Sequence, residues 1–136
     1  MKVELIFNIH EEVDLWKGVI EIDSSSTLED FHFAIQDAVE FDDDHLYEFY
    51  VSKTVRGRNR VTFDDENEKI YEVTLDGLFP LDKGHGLYYM FDYGDSWLFK
   101  ITKSRKHPRH SSEGIEYPRL VSESGRRPEQ YLVENW

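Results

Sequence analysis

The segment STLEDFHFAIQDAVEF, residues 26–41, decides the fold. Ser26 followed three residues later by Glu29 matches a capping box, in which the two side chains satisfy free backbone N–H groups at a helix start. Asp30 adds the negative charge that the first turn of a helix favours. Apolar residues then recur at helical spacing: Leu28, Phe31, Ile35, Ala38 and Val39. The segment therefore predicts an amphipathic helix that packs one stripe against a sheet.

Alternating apolar residues on both sides of this helix predict the sheet. Residues 2–9 and 15–22 each place apolar side chains on one face, so we expect them to form a hairpin, and residues 46–52 predict another strand. Residues 53–69 are polar apart from 61–63 and predict a long excursion in the form of a hairpin. Residues 70–79 predict a short strand with a turn at Asp76-Gly77.

The segment YMFDYGDSWLF, residues 89–99, predicts a long hairpin. A three-residue loop closed by Gly94 in the left-handed region sets Phe91 opposite Asp95 and Tyr89 opposite Trp97. Asp95 then lies on the aromatic face of the hairpin. A carboxylate in that position needs hydrogen-bond donors, because its unpaired burial costs several kcal/mol.

The order of these elements predicts the fold class. A hairpin, one packing helix and further strands that end in a long hairpin indicate an α+β fold with a β-grasp-like mixed sheet. The length fits a single domain over residues 1–136. Its α+β core is expected over residues 1–104, followed by an irregular C-terminal extension over 105–136. The chain has no cysteine, no signal-peptide pattern and no apolar stretch of membrane-spanning length, so a cytoplasmic protein is expected.

The charge distribution restricts the partners. The net charge of −12 disfavours a general phosphate-binding surface for nucleic acid. Residues 101–136 nevertheless hold seven of the 16 basic residues and only five of the 28 acidic ones. This local excess either helps the segment lie on an acidic body or contacts an anion. The second interpretation makes residues 103–127, which include Arg126 and Arg127, a candidate nucleic-acid contact.

No motif for catalysis or for a cofactor stands out. The chain lacks the HExxH, GxSxG, GxGxxG and P-loop patterns, so no catalytic residue, metal ligand or cofactor is predicted. The remaining candidate is a cleft where the turn after the helix meets the long hairpin. Its binding or signature residues are Asp44, His45, Asp92, Asp95, Ser96 and Trp97.

Two blocks of the sequence carry a resemblance to a family. TLEDFHFAIQDAVEFDDDHLYEF (27–49) and LYYMFDYGDSWLFKI (87–101) resemble the plasmid Ri (pRi) open-reading-frame-three-like family. The positions that match its motifs are His32, Asp43, Asp44, His45, Tyr47, Asp92, Gly94, Asp95, Ser96 and Trp97. The sequence departs from many members after residue 125, where an acidic, glycine-rich end is missing.

The resemblance implies a small α+β domain without established catalytic residues, and some members carry a resolvase or transposon-passenger label. We therefore favour a non-enzymatic domain that binds a protein or a small-molecule ligand. One alternative is a metal- or small-molecule-binding enzyme that uses the acidic turn cluster. The other is a mobile-element-associated nucleic-acid-binding protein that uses residues 103–127.

Overall fold

The computed structural model describes residues 2–7, 16–43, 45–91, 97–103 and 118–125. These residues form seven strands and three helices. In chain order they are β1 (Lys2–Phe7), β2 (Trp16–Glu21), α1 (Leu28–Val39), β3 (Tyr47–Ser52), β4 (Val61–Phe63), α2 (Lys69–Glu72), α3 (Leu75–Leu78), β5 (Gly86–Phe91), β6 (Trp97–Lys103) and β7 (Arg119–Ser124). No helix in the described ranges is long and apolar enough to cross a membrane.

The strands form one sheet in the order β4-β3-β5-β6-β1-β2-β7. Every pair of neighbouring described strands is antiparallel. The α+β class is therefore confirmed, whereas the expected mixed sheet is wrong for these strands and the β-grasp-like arrangement is not confirmed. The predicted β1–β2 hairpin and the third strand, β3, are present.

The helix α1 forms as predicted but begins one residue later than the proposed cap. Thr27, not Ser26, is the N-cap: its hydroxyl accepts from the N–H of Asp30, whose carboxylate accepts from the N–H of Thr27. Thr27 is extended because it forms an isolated bridge with Thr74, and the Ser26 carbonyl accepts from Leu75. The bridge, which the local pattern does not reveal, therefore fixes the start of the helix.

The buried stripe of α1 packs on one face of the sheet. All five predicted apolar positions of α1 are buried. Phe31 stacks on Phe49 of β3 with ring centroids 5.8 Å apart. Tyr50 and Tyr88 have the opposite strand parity from Phe49 and Tyr89, so they lie on the other face, where their rings stack at 5.1 Å.

Residues 70–79 contradict the prediction of a strand. They contribute to two one-turn helices, α2 and α3, instead. The side chain of Thr74 caps α3 by accepting from the N–H of Gly77, and the carbonyl of Val73 accepts from Leu28 at the start of α1. The segment thus pairs with the loop before α1 and does not join the sheet.

The long hairpin is confirmed, but its predicted register is wrong by two residues. Phe91 lies opposite Trp97 and Tyr89 lies opposite Phe99. Residues 92–96, between the two strands, lie outside the described residues. A shift of two keeps each side chain on its predicted face, because side chains alternate with a period of two. The partner of Phe91 is consequently Trp97 and not Asp95, and Asp95 lies outside the described residues.

The C-terminal region contains a strand within the part predicted to be irregular. β7 pairs with β2 at the edge of the described sheet. Most residues of β7 are exposed, and this lack of apolar alternation hides the strand in the sequence. At the other edge, residues 61–63 form the predicted hairpin with β3.

Candidate functional site

A buried hydrogen-bond network links α1, the turn after it and the sheet. His32 on α1 is 1% exposed, and its Nδ1 lies 2.7 Å from the hydroxyl oxygen of Tyr89 on β5. Its Nε2 lies 2.6 Å from Oδ1 of Asp43. Gln36, one turn further along α1, donates from Nε2 to the Tyr89 hydroxyl at 2.9 Å. We call these four residues, His32, Gln36, Asp43 and Tyr89, the His32 network.

The donors and acceptors of the His32 network favour one tautomer of His32. The Tyr89 oxygen already accepts from Gln36, so its own proton is available to Nδ1 of His32. Nε2 of His32 then carries the ring proton and donates to the Asp43 carboxylate. Each proton of the chain from Gln36 through Tyr89 and His32 to Asp43 has one acceptor. We therefore assign a neutral imidazole protonated at Nε2.

Burial also favours the neutral form of His32. It lowers the pKa of the imidazole, although the hydrogen bond to Asp43 and the charge of that carboxylate oppose the shift. Burial also raises the pKa of the Tyr89 phenol well above its usual value. The network is accordingly a chain of neutral groups that ends on one carboxylate, the partly exposed one of Asp43.

The turn after α1 places Asp43 beneath the helix. Glu40 adopts the left-handed conformation, with φ of 59°, and the N–H of Phe41 bonds back to the carbonyl of Gln36. Asp43 is also left-handed, with φ of 52°, and its N–H donates to the side-chain oxygen of Gln36 at 3.0 Å. Gln36 therefore holds the backbone of Asp43 while His32 holds its carboxylate.

Tyr47 covers the imidazole from the side of the sheet. Its ring stacks on His32 with centroids 3.5 Å apart and an interplanar angle of 3°. Burial raises the pKa of the Tyr47 phenol, and Glu29, Tyr71, Asp43 and Asp65 raise it further. The stack closes one side of the ring, while both ring nitrogens have partners. No atom of His32 that could exchange a proton is open to a substrate in this arrangement.

The residues proposed from the sequence fall into two groups. Asp44, Asp92, Asp95 and Ser96 lie outside the described residues. His45 is exposed and meets the ring of Phe91 edge-on at 5.9 Å. Trp97 is half-buried and packs edge-on against Phe41 at 5.2 Å, and Phe41 in turn contacts Phe91 at 5.8 Å.

Within the described residues, the rings of Phe91 and Phe41 thus link His45 to Trp97. The buried Nε1 of Trp97 has no acceptor among the described residues. Among the residues that the structure describes, no three acidic, histidine or cysteine side chains converge on a point where a metal ion could bind. Of the basic segment 103–127, Arg119 lies 3.3 Å from Glu21, and Arg105, Lys106, Arg109, Arg126 and Arg127 lie outside the described ranges.

Reasoning from the sequence missed the His32 network. In the sequence, His32 stands out only as a position that matches the family motifs, and its polar partners are not foreseen. Tyr89 is 57 positions away along the chain and Asp43 is 11 away, so no local spacing rule connects them. The available signal was the pair His32 and Gln36, two polar residues four apart on the buried side of an apolar helix.

Comparisons with known proteins agree with this architecture. A family model described as plasmid pRiA4b ORF-3-like protein matches residues 2–131. A crystal structure of a protein of unknown function from Methanosarcina mazei Go1 superposes with a TM-score of 0.72 at 24% identity, covering 90% of this chain and 67% of that one. At this identity the similarity concerns the fold alone. No curated protein matches the sequence.

Proposed function

Since this chain belongs to the plasmid pRiA4b ORF-3-like family, for which the comparisons name no reaction, we propose from its own surface that it is a non-enzymatic binding domain. Its docking surface is an aromatic face rimmed by carboxylates, and its partner is a protein segment rich in lysine or arginine. The observation that carries the proposal is the pair of exposed rings on α1 and α2. Phe33 is 47% exposed and Tyr71 is 49% exposed.

These rings lie around Tyr47. Phe33 is adjacent to His32, with ring centroids 5.3 Å apart, and His32 stacks on Tyr47. Tyr71 is close enough to Tyr47 to raise the pKa of its phenol, after the larger effect of burial. We call Phe33, Tyr47 and Tyr71 the Tyr47 face. Exposed large apolar groups gathered on one side of a domain are typical of protein interfaces, in which tyrosine and phenylalanine are enriched.

The charges around the Tyr47 face determine the chemistry of the partner. The carboxylates of Glu29, Asp43 and Asp65 lie within electrostatic range of Tyr47. A partner with lysine or arginine side chains can form two kinds of favourable contact at such a surface. Its cations can pair with the carboxylates, and they can also lie over the faces of the exposed rings. An acidic partner, including nucleic acid, would be repelled.

The His32 network supports this function as a scaffold. It joins α1, which carries Phe33, to β5 and to the turn that carries Asp43, while Tyr47 on β3 stacks on His32. A surface formed by several elements binds better when those elements are held in place before the partner arrives. The network thus contributes rigidity to the Tyr47 face, and its own polar atoms remain internal.

Site-specific photo-crosslinking tests the proposal. We would introduce a photoreactive phenylalanine at position 33 or 71 in cells, with position 61 as the matched control, because Val61 is 59% exposed but lies on the edge strand β4. We expect positions 33 and 71 to crosslink the same partner, through a segment of net positive charge. Glu29→Lys together with Asp65→Lys should reduce the yield about tenfold.

Two outcomes would contradict the proposal. The Tyr47 face is not the docking surface if the yield at position 61 equals that at 33 and 71. The charge argument is wrong if the crosslinked segment is acidic, or if the two lysine substitutions leave the yield unchanged. Fluorescence and urea unfolding of the substituted proteins check that the fold is retained, which we expect because Asp65 is exposed and Glu29 is partly exposed.

A further inference from the structure

A second region of interest is the loop of residues 53–60 between β3 and β4. It carries Lys53, Arg56, Arg58 and Arg60 and no acidic residue, in a chain of net charge −12. Among the described residues, no carboxylate lies within ion-pair distance of Lys53, Arg56 or Arg58. The neighbouring acidic stretch 64–68 follows β4, so a strand of about 10 Å separates it from this loop.

The backbone of this loop is held by its own contacts. The Tyr50 hydroxyl donates to the carbonyl of Val55 at 2.7 Å, and Nε of Arg60 donates to the carbonyl of Gly57 at 2.9 Å. The guanidinium of Arg60 also lies 4.1 Å above the Tyr50 ring. Arg60 therefore stabilises the conformation of the loop. The side chains of Lys53 and Arg58 are exposed and make no hydrogen bond with another described residue.

The loop borders an open pocket of about 360 Å³. Its lining residues are Ser52, Lys53, Gly57, Arg58, Asn59 and His85. A Cβ at Gly57 would come within 2.1 Å of the Ser52 oxygen, so glycine is what allows the loop to close over this serine. Ser52 is 1% exposed and its hydroxyl accepts from the N–H of Thr54, while its own proton has no acceptor among the described residues.

We propose that this cavity, which we call the Arg58 pocket, binds a small phosphorylated molecule. The lining supplies two permanent cations, the amide of Asn59, the imidazole of His85 and the spare proton of Ser52. An oxyanion with several charged oxygens can accept from all of them, and charge-assisted hydrogen bonds are the strong ones. The two cations and the polar groups of the lining are the contacts expected to select a charged group.

Size and charge favour a small ligand over a nucleic acid. The lining residues come from the 52–59 segment and His85 alone, so the polar contacts on offer are few and close together, which suits a small ligand. A long polyanion would extend beyond the pocket onto a protein of net charge −12, which repels it.

The Arg58 pocket is separate from the Tyr47 face and does not depend on the proposed function. Tyr47 and Ser52 are the two ends of β3, about 17 Å apart at 3.3–3.4 Å per residue. Ser52 also shares its strand parity with Tyr50, so it faces away from α1. Failure of one proposal would therefore leave the other in place.

Calorimetric titration with pyrophosphate tests the proposal. We expect saturable binding by the full chain, weakened about tenfold or more by Arg58→Ala and likewise by Lys53→Ala, because each removes one charge-assisted contact. Both residues are exposed, so the variants should fold. The matched control is Lys17→Ala, which removes an exposed lysine from β2, on the far side of the sheet order, and should leave the affinity unchanged.

Several results would overturn the proposal. It fails if the wild-type chain shows no saturable binding at millimolar pyrophosphate, or if Arg58→Ala and Lys53→Ala bind as well as wild type. It also fails if Lys17→Ala weakens binding equally, since the effect would then come from net charge. The proposal is also wrong if a single-stranded or duplex DNA oligonucleotide binds more tightly than pyrophosphate and with a steep salt dependence. The ligand of the pocket would then be nucleic acid and not a small molecule.

Discussion

Replacing His32 with alanine should destabilise the protein by about 3–5 kcal/mol. The substitution removes a fully buried ring, together with its stack on Tyr47 at 3.5 Å. It also leaves the Tyr89 hydroxyl proton and one oxygen of Asp43 without their partner. Urea denaturation of the two proteins would measure the loss as a shift of the midpoint at constant slope.

A histidine elsewhere in the fold provides the control for that experiment. His85 is half-buried in the loop before β5, and among the described residues its side chain has one weak polar contact, at 3.3 Å to the carbonyl of Lys83. His85→Ala should cost less than about 1 kcal/mol. If His32→Ala costs no more than this, the His32 network does not support the fold. If the alanine variant fails to fold, His32→Gln, which can keep one of the two hydrogen bonds, should fold with an intermediate loss.

Replacing Tyr89 with phenylalanine should cost about 2–3 kcal/mol although it removes one atom from the core. The hydroxyl serves two buried groups at once: it accepts from Gln36 at 2.9 Å and donates to Nδ1 of His32 at 2.7 Å. Without it, both of these groups are buried and unpaired. Thermal or urea unfolding of the phenylalanine variant would measure the loss.

Tyr50→Phe is the matched control for that change. Tyr50 is also buried, but its hydroxyl donates to the carbonyl of Val55, and Val55 is itself partly exposed. Water can reach that carbonyl after the substitution, so we expect a loss of about 1 kcal/mol. Equal losses for the two variants would show that Tyr89 has no special role in the His32 network.

The sequence predicted the elements in which apolar side chains recur regularly over many residues. The spacing of Leu28, Phe31 and Ile35 identified α1 and its buried stripe, and alternation identified β1, β2, β3 and the aromatic face of the long hairpin. The predicted register of the hairpin was wrong by two residues. Because side chains alternate with a period of two, Tyr89 and Trp97 are nevertheless on the face predicted for them.

The errors arose where an element depends on distant contacts. The start of α1 is set by the bridge between Thr27 and Thr74, so the pattern of Ser26 and Glu29 misplaced it by one residue. Short apolar runs such as residues 70–79 fit a strand and a helix equally well, and here two helical turns pack beside the start of α1. β7 has too few buried residues to show alternation.

The candidate sites illustrate the same limit. His45 and Trp97 were selected from the sequence, and in the described ranges the rings of Phe91 and Phe41 lie between them. The His32 network joins residues up to 57 positions apart, and the Arg58 pocket joins the 53–60 loop to His85. Sets of this kind form through strand pairing, which a single sequence does not specify. The charge of the 53–60 loop was visible in advance, but its shape was not.

His32 is a buried, neutral histidine whose two ring nitrogens bond Tyr89 and Asp43. Because burial lowers its pKa below the unfolded value of about 6.5, the unfolded chain binds more protons than the folded chain just below that pH. The contribution of His32 to stability is therefore complete above about pH 6.5 and is lost as the pH falls through its folded pKa.

Nitrogen-15 NMR of the histidine side chains, recorded on the intact protein from pH 8 to pH 4.5, tests this claim most directly. We predict that His32 is neutral at pH 7 with its proton on Nε2, and that it takes up a second proton only below the usual histidine range. A proton on Nδ1 at pH 7, or a titration at about 6.5 or higher like that of an exposed histidine, would contradict the account.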